Sequence, residues 1–437
     1  MSAGRASGAY ALGLRFLAVA IPKLLNSAGL IAVNALLAGF LDAGRFGVLG
    51  VCTTILLVID SVIGSAVDMG VVKLVPACLP QDSKRADAIQ TTAFVMKVAA
   101  GLLAAGALWP FRERVGMALF QSTQYTEALS YTLAASIAIL ALRSAQASLQ
   151  VTGRFGAYGT LDTISNLIKY GGVSALAFSH QVTLERVLLL YIAGPALAFL
   201  VSLFLTPSIL FFRGLSWGLA REFAVLVSWF LITFGSAALA ARADLFILSA
   251  RTSVAEAGLF ALASMVPLGA QLLGSYASVL LSPNISKLVE ARQFYPFFKA
   301  AQSNVLKASA VFLILGSGAI LFAGPLLLPE GYDEVARVAL VMMPGATAGL
   351  ATFPITLAFV MFHRPKFLFL LDCCTLPLIL AVHWTLVPIY GAIGAAAISS
   401  GANVLRASLV QGLAWHWARQ PHQVPLTPLS DTRVVST

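Results

Sequence analysis

The chain has 437 residues, of which 59% are hydrophobic and only 11% charged, and its mean hydropathy is +0.88. Soluble domains carry roughly 25% charged residues, so this composition leaves too little polar surface to solvate a globule and excludes a soluble enzyme. The net charge of +10 comes without a contiguous Lys/Arg run and is spread over many short connections, which membrane topology explains better than nucleic-acid binding.

The unit of the fold is therefore an apolar stretch of ~20 residues that crosses a bilayer. Runs between turn signals predict twelve helices, near 14–40, 47–75, 88–111, 127–150, 158–179, 185–206, 222–250, 255–282, 300–327, 336–362, 367–387 and 391–417. The expected class is an all-α polytopic membrane protein. The N-terminal run lacks the short apolar core and small-residue cleavage site of a leader and reads as a retained first helix. With the N-terminus inside, Lys and Arg in the connections divide about 14 inside to 6 outside, and the rule for short loops then places both termini in the cytoplasm.

Polar groups recur along these helices at spacings that share a face. The first carries Lys23, Ser27 and Asn34, with Pro22 as a hinge or a static kink. The second carries Asp60, Ser61, Gly64, Ser65 and Asp68, and the fifth Asp162, Ser165, Asn166 and Lys169; Arg143 falls in the fourth, and Arg242 and Asp244 in the seventh, on different sides of that helix. The eighth carries Gln271, Ser275, Ser278 and Ser282, a face whose serines read as close packing. Ser286 to Lys299 reads as a basic amphipathic segment on the membrane surface.

In all, eight basic residues fall within spans (Lys23, Lys73, Lys97, Arg143, Lys169, Arg242, Lys307, Arg406) against five acidic (Asp60, Asp68, Asp162, Asp244, Asp372). A charge at a helix centre costs about 3 kcal/mol on insertion scales, so these groups should face a watery cavity or one another. The excess of cations predicts an interior that favours an anion. By depth, Lys23 and Asp68 could meet. Cys52, Cys78, Cys373 and Cys374 show no metal or disulfide spacing, and no cofactor motif is present. His180, His363, His383, His416 and His422 are scattered without a common site. The longest outside loop, 111–127, offers only Glu113 for catalysis, which argues against an enzyme.

The chain also resembles itself at a shift of about 210. Arg154 with Asp162 matches Arg364 with Asp372, and Gly44-Arg45-Phe46-Gly47 matches Glu256-Ala257-Gly258, so that Gly47 and Gly258 lie 211 apart. Six helices intervene, so two lobes, 1–210 and 211–437, are expected in the same orientation about an axis along the membrane normal.

Leu41-Asp42-Ala43-Gly44-Arg45-Phe46-Gly47, the helix ending Val67-Asp68-Met69-Gly70, and Ala243-Asp244 through Ala257-Gly258-Leu259-Phe260-Ala261 resemble the polysaccharide biosynthesis, or O-antigen-type, flippases of the multidrug/oligosaccharidyl-lipid/polysaccharide superfamily. The resemblance implies two six-helix lobes around a cavity lined mainly by helices one, two, seven and eight. It implies alternating access, and carriage of a polyprenyl-diphosphate-linked oligosaccharide across the bacterial inner membrane to the periplasmic leaflet. On that reading Lys23 and Arg242, then Lys169 and Arg143, contact the diphosphate, and Asn26, Asn34 and Gln271 the glycan. Asp60 and Asp68 either couple a proton or sodium ion or serve as ion-pair partners. Polymerases of the same pathway would be partners. The rival on the same fold is an ion-coupled multidrug exporter.

Overall fold

The computed structural model describes residues 29–79, 82–206, 217–270, 294–327, 332–361 and 365–418, which are helical almost throughout, with no strand among them. The membrane helices, numbered in chain order, are α1 (Gly29–Phe40), α2 (Ala43–Ile59 continuing through Ser65–Cys78), α3 (Ser83–Leu108), α4 (Thr126–Val151), α5 (Phe155–Phe178) and α6 (Leu184–Leu205). They continue as α7 (Trp217–Arg251), α8 (Val254–Ala270), α9 (Phe294–Leu327), α10 (Asp333–Met361), α11 (365–390) and α12 (391–418). Eight stretches are long and apolar enough to cross a membrane. The shorter α1 and α8, the charge-bearing α5, and the division of the last stretch at Gly391 bring the passes to the twelve expected.

Local chemistry sets the helix starts. Asp42, Asp82, Thr183 and Ser253 each accept a hydrogen bond from the backbone N–H three residues on, satisfying a donor that a helix start would otherwise leave unpaired. Gly391 separates α11 from α12 with φ 59° and ψ −145°, a conformation open to glycine. Glu256 Oε2 accepts from the Ala392 N–H at 2.7 Å and so caps α12 from outside the helix. In α2, residues Asp60–Gly64 form a π-turn in which the Ser65 N–H reaches back to the Asp60 carbonyl. Such turns accommodate one extra residue and recur at functional sites. The stretch 111–127, expected as a loop, instead contains a short helix, Arg112–Phe120, with the Arg112 guanidinium 4.6 Å from the Trp109 ring centre.

Helices α3 to α6 pack chiefly on one another and on α2, and α9 to α12 on one another and on α7 and α8. The proposed boundary at 210/211 lies outside the described residues. Large apolar side chains point outward on both sets, among them Leu103, Phe204, Trp229, Ile314 and Phe322, as a lipid-facing surface requires. The sets meet along α2, which contacts both α8 and α7.

At the turn between α1 and α2 the approach is close enough that only glycine fits. A Cβ on Gly47 would lie 1.7 Å from the Val254 carbonyl oxygen, and one on Gly258 would lie 2.2 Å from that of Ala43. Around this contact Gln121 Nε2 donates to the Thr252 carbonyl at 3.1 Å, and the Tyr332 hydroxyl donates to the Leu41 carbonyl at 3.2 Å. Each of the pairs 43/254, 47/258, 41/252 and 121/332 is separated by 211 positions. The contact is thus self-complementary, as at a two-fold axis between identical subunits. The repeat seen in sequence is visible here as geometry. Toward the other end, Gly70 on α2 admits the Phe223 ring of α7, and Arg85 lies 3.7 Å from Glu222.

Candidate functional site

Between the two sets lies a cavity of about 450 Å³, within the range of sites for drug-sized ligands. Its walls come from α1, α2, α4, α5 and α6 on one side and α7, α8, α10 and α12 on the other. More helices contribute than the four expected to dominate.

Five of the nine residues singled out in the sequence line this cavity: Asn34, Asp60, Arg143, Lys169 and Arg242. Lys23, Asn26 and Gln271, with the rest of the eighth helix's serine face, lie outside the described residues, as does most of Ser286–Lys299. Asp68 is not in the lining. It forms an ion pair at 2.5 Å with Lys97 of α3, whose side chain is 1% exposed. The partner observed for Asp68 is therefore this buried lysine; of the pair expected with Lys23, one member is not described. Depth along a helix could not distinguish the two, because pairing is set by which neighbouring helix packs closer.

Arg143 is held. Its Nε donates to Asp60 Oδ2 at 3.2 Å and its Nη1 to Gln146 Oε1 at 3.0 Å. It comes from α4 and Asp60 from the π-turn of α2, so this pair joins two helices at the cavity wall. Arg406 and Asp372 likewise form a two-bond pair at 2.7 and 3.2 Å between α12 and α11. Lys73 and Lys307 are exposed, on stems long enough to carry their charges toward the interface.

Lys169 and Arg242 differ from these. Among the described residues neither forms an ion pair with a carboxylate. The Lys169 ammonium lies 5.7 Å from the ring centres of both Tyr170 and Tyr191, inside the range for attraction to an aromatic face. Arg242 lies on the opposite wall, in α7. The Gln146 amide nitrogen is buried with no hydrogen-bond partner among the described residues, leaving a donor at the wall. Asn34 donates to the Leu30 carbonyl of its own helix at 2.8 Å. Asn166, Ser264, Ser400 and Asn403 complete a lining rich in amides and hydroxyls.

Two expectations are corrected. The cavity lining among the described residues holds three basic groups (Arg143, Lys169, Arg242) and three acidic ones (Asp60, Asp162, Asp244), so the cationic excess counted over whole spans is not found there. Lys97 and Arg406 are paired elsewhere, and Lys73 and Lys307 leave for the surface. Second, His383, read as one of five scattered histidines, is 1% exposed and bonded within the second set of helices. A lone histidine in an apolar run gives no signal of its partners in sequence.

No family model matches this sequence, and no curated protein matches it. Solved structures do. One described as the inward-facing conformation of a multidrug resistance MATE family transporter of the MOP superfamily aligns with a TM-score of 0.76 at 11% identity, over 92% of this chain and 98% of that one. The lipid II flippase MurJ, in an inward closed conformation, aligns at 0.74 and 14% identity, over 91% of this chain and 87% of the flippase. The Vibrio cholerae MATE transporter VcmN, in its bent form, aligns at 0.64 and 13% identity, over 95% of this chain and 99% of the transporter. The chain shares the fold of these solved structures. Identities this low carry the architecture and leave the cargo to be argued from the cavity.

Proposed function

We propose that this protein is a flippase that carries a polyprenyl-diphosphate-linked oligosaccharide between the leaflets of a bacterial inner membrane by alternating access, with both termini cytoplasmic. The observation that carries this reading is the pair of cavity cations, Lys169 and Arg242, that no described carboxylate holds in an ion pair. Cations without a direct carboxylate contact keep their donors available, and a diphosphate would engage them with charge-assisted hydrogen bonds. The surrounding amides and hydroxyls suit a glycan, and the polyprenyl tail can remain in lipid. Lys23, Asn26 and Gln271 are assigned to the same cargo by the resemblance. Arg143, already bonded to Asp60 and Gln146, supports the wall and contacts the diphosphate with its remaining donors. Asp60 and Asp68 act as ion-pair partners.

The test is reconstitution in vesicles carrying a polyprenyl-diphosphate-linked oligosaccharide, with a membrane-impermeant glycosidase reporting leaflet exposure. Protein-dependent exposure is expected, and Lys169→Ala and Arg242→Ala should each slow it by about tenfold or more. Unchanged exposure in both variants would remove the assignment.

The balanced charge of the lining, with Tyr170, Tyr191, Phe46 and Phe260 among the walls, favours a second reading: export of amphiphilic organic molecules. Under that reading the deletion strain leaves its lipid-linked glycan unchanged and becomes sensitive to cationic dyes.

A further inference from the structure

Three helices of the second set share a polar chain. His383 of α11 has Nδ1 2.9 Å from the Ile379 carbonyl and Nε2 3.2 Å from Ser399 Oγ of α12. Ser399 Oγ in turn lies 2.9 Å from Asp244 Oδ2 of α7, whose Oδ1 accepts the Leu245 N–H at 2.8 Å. Asp244 and Ser399 both line the cavity, and His383 is sealed behind them.

Counting protons fixes what this chain can hold. A carbonyl only accepts, so the contact to Ile379 places a proton on Nδ1. The two contacts to Ser399 Oγ require two protons, and the serine supplies one. The other must come from the Asp244 carboxyl or from His383 Nε2. If the aspartate were ionised and the histidine neutral, one of the contacts would set two acceptors face to face. The intact chain is therefore either aspartic acid with neutral imidazole or carboxylate with imidazolium, and it contains one dissociable proton in either form.

We propose that Asp244, Ser399 and His383 form a proton-binding site that opens onto the cavity. Release of its proton to cavity water leaves the Asp244 carboxylate accepting from Ser399 and breaks the bond from Ser399 to His383, which removes one tie between α11 and α12 while the Arg406–Asp372 pair stays in place. Charged groups facing Asp244 are Arg242 beside it on α7 and Asp60, Arg143, Asp162 and Lys169 on the opposite walls; α8, α10 and α12 add no charge to the lining. The inference does not depend on the cargo.

The experiment uses the full chain in lipid nanodiscs without cargo. Imidazole nitrogen NMR, with His383 assigned by His383→Gln among the five histidines, is combined with infrared detection of a protonated carboxyl assigned by Asp244→Asn. At neutral pH, either the His383 imidazolium or the Asp244 carboxylic acid should be present, and in Asp244→Asn the proton affinity of His383 should fall by about tenfold or more. Ser399→Ala keeps both titrating groups and removes the bridge, so it should shift the His383 midpoint even if Asp244→Asn does not fold. Absence of both protonated species at neutral pH, or a His383 titration unmoved by either variant, overturns the proposal. Because no cargo is present, that failure leaves the flippase reading standing.

Discussion

Lys97 and Lys169 are both lysines in apolar helices, and the structure gives them opposite tasks. Lys97 is buried against a carboxylate, so its removal strands a charge in a dry site. Lys97→Met should lower stability by about 3 kcal/mol, seen as a lower thermal midpoint in detergent, and adding Asp68→Asn should restore much of it. No loss in the single variant would show that the pair is not structural. Lys169, between two tyrosine rings, faces the cavity. Lys169→Ala should leave stability near the wild-type value and reduce transport by roughly tenfold or more, the worth of one charge-assisted contact. Spacing marked Lys169 and Asp60 as members of polar stripes, and these two, with Arg143 and Arg242, line the cavity. It could not give Lys97 to Asp68, nor link His383 with Asp244, because those partners lie on helices far apart in the chain and approach only on packing.

The helices themselves were legible because their apolar runs are long enough to span. Two of their starts were not: α2 and α3 were expected from 47 and 88 but begin at Ala43 and Ser83, because Asp42 and Asp82 cap polar turns that precede the apolar runs. The π-turn of α2 and the short helix Arg112–Phe120 were not legible: the first looks like an ordinary apolar run, and the second has the mixed composition of an interfacial loop. Between elements, the approach at Gly47 and Gly258 leaves no room for a side chain. Gly258→Val should force α8 away from Ala43 and lengthen spin-label distances across that end of the molecule; unchanged distances would show that the turn yields locally. Tyr332→Phe should favour the separated form by about fivefold, the worth of one hydrogen bond, read from the same distance distribution. Burial, with a further push from Asp42, raises the Tyr332 hydroxyl to about 12. A phenol raised in this way keeps its contribution in full below the ordinary value of about 10 and loses it as the pH climbs through about 12, so this bond should be insensitive to physiological acidity.

Across the whole molecule, the internal repeat was visible in the sequence as two faint matches, and its axis can be located because four pairs of residues obey one offset. What joins the halves was not readable, since the same glycines could have ended helices without touching. A disulfide between Gln121→Cys and Thr252→Cys, made with the native cysteines replaced, should stop transport and release it on reduction. Transport that persists with the bond intact would mean the two sets need not part at that end.

A junction built on reciprocal contacts has no weak side from which to peel. Whatever draws Gln121 from the backbone at Thr252 must also draw Tyr332 from the backbone at Leu41, since both bonds span the same seam and turn about the same glycines. Parting there is a single concerted event, and a mutation on one arm weakens the grip of both.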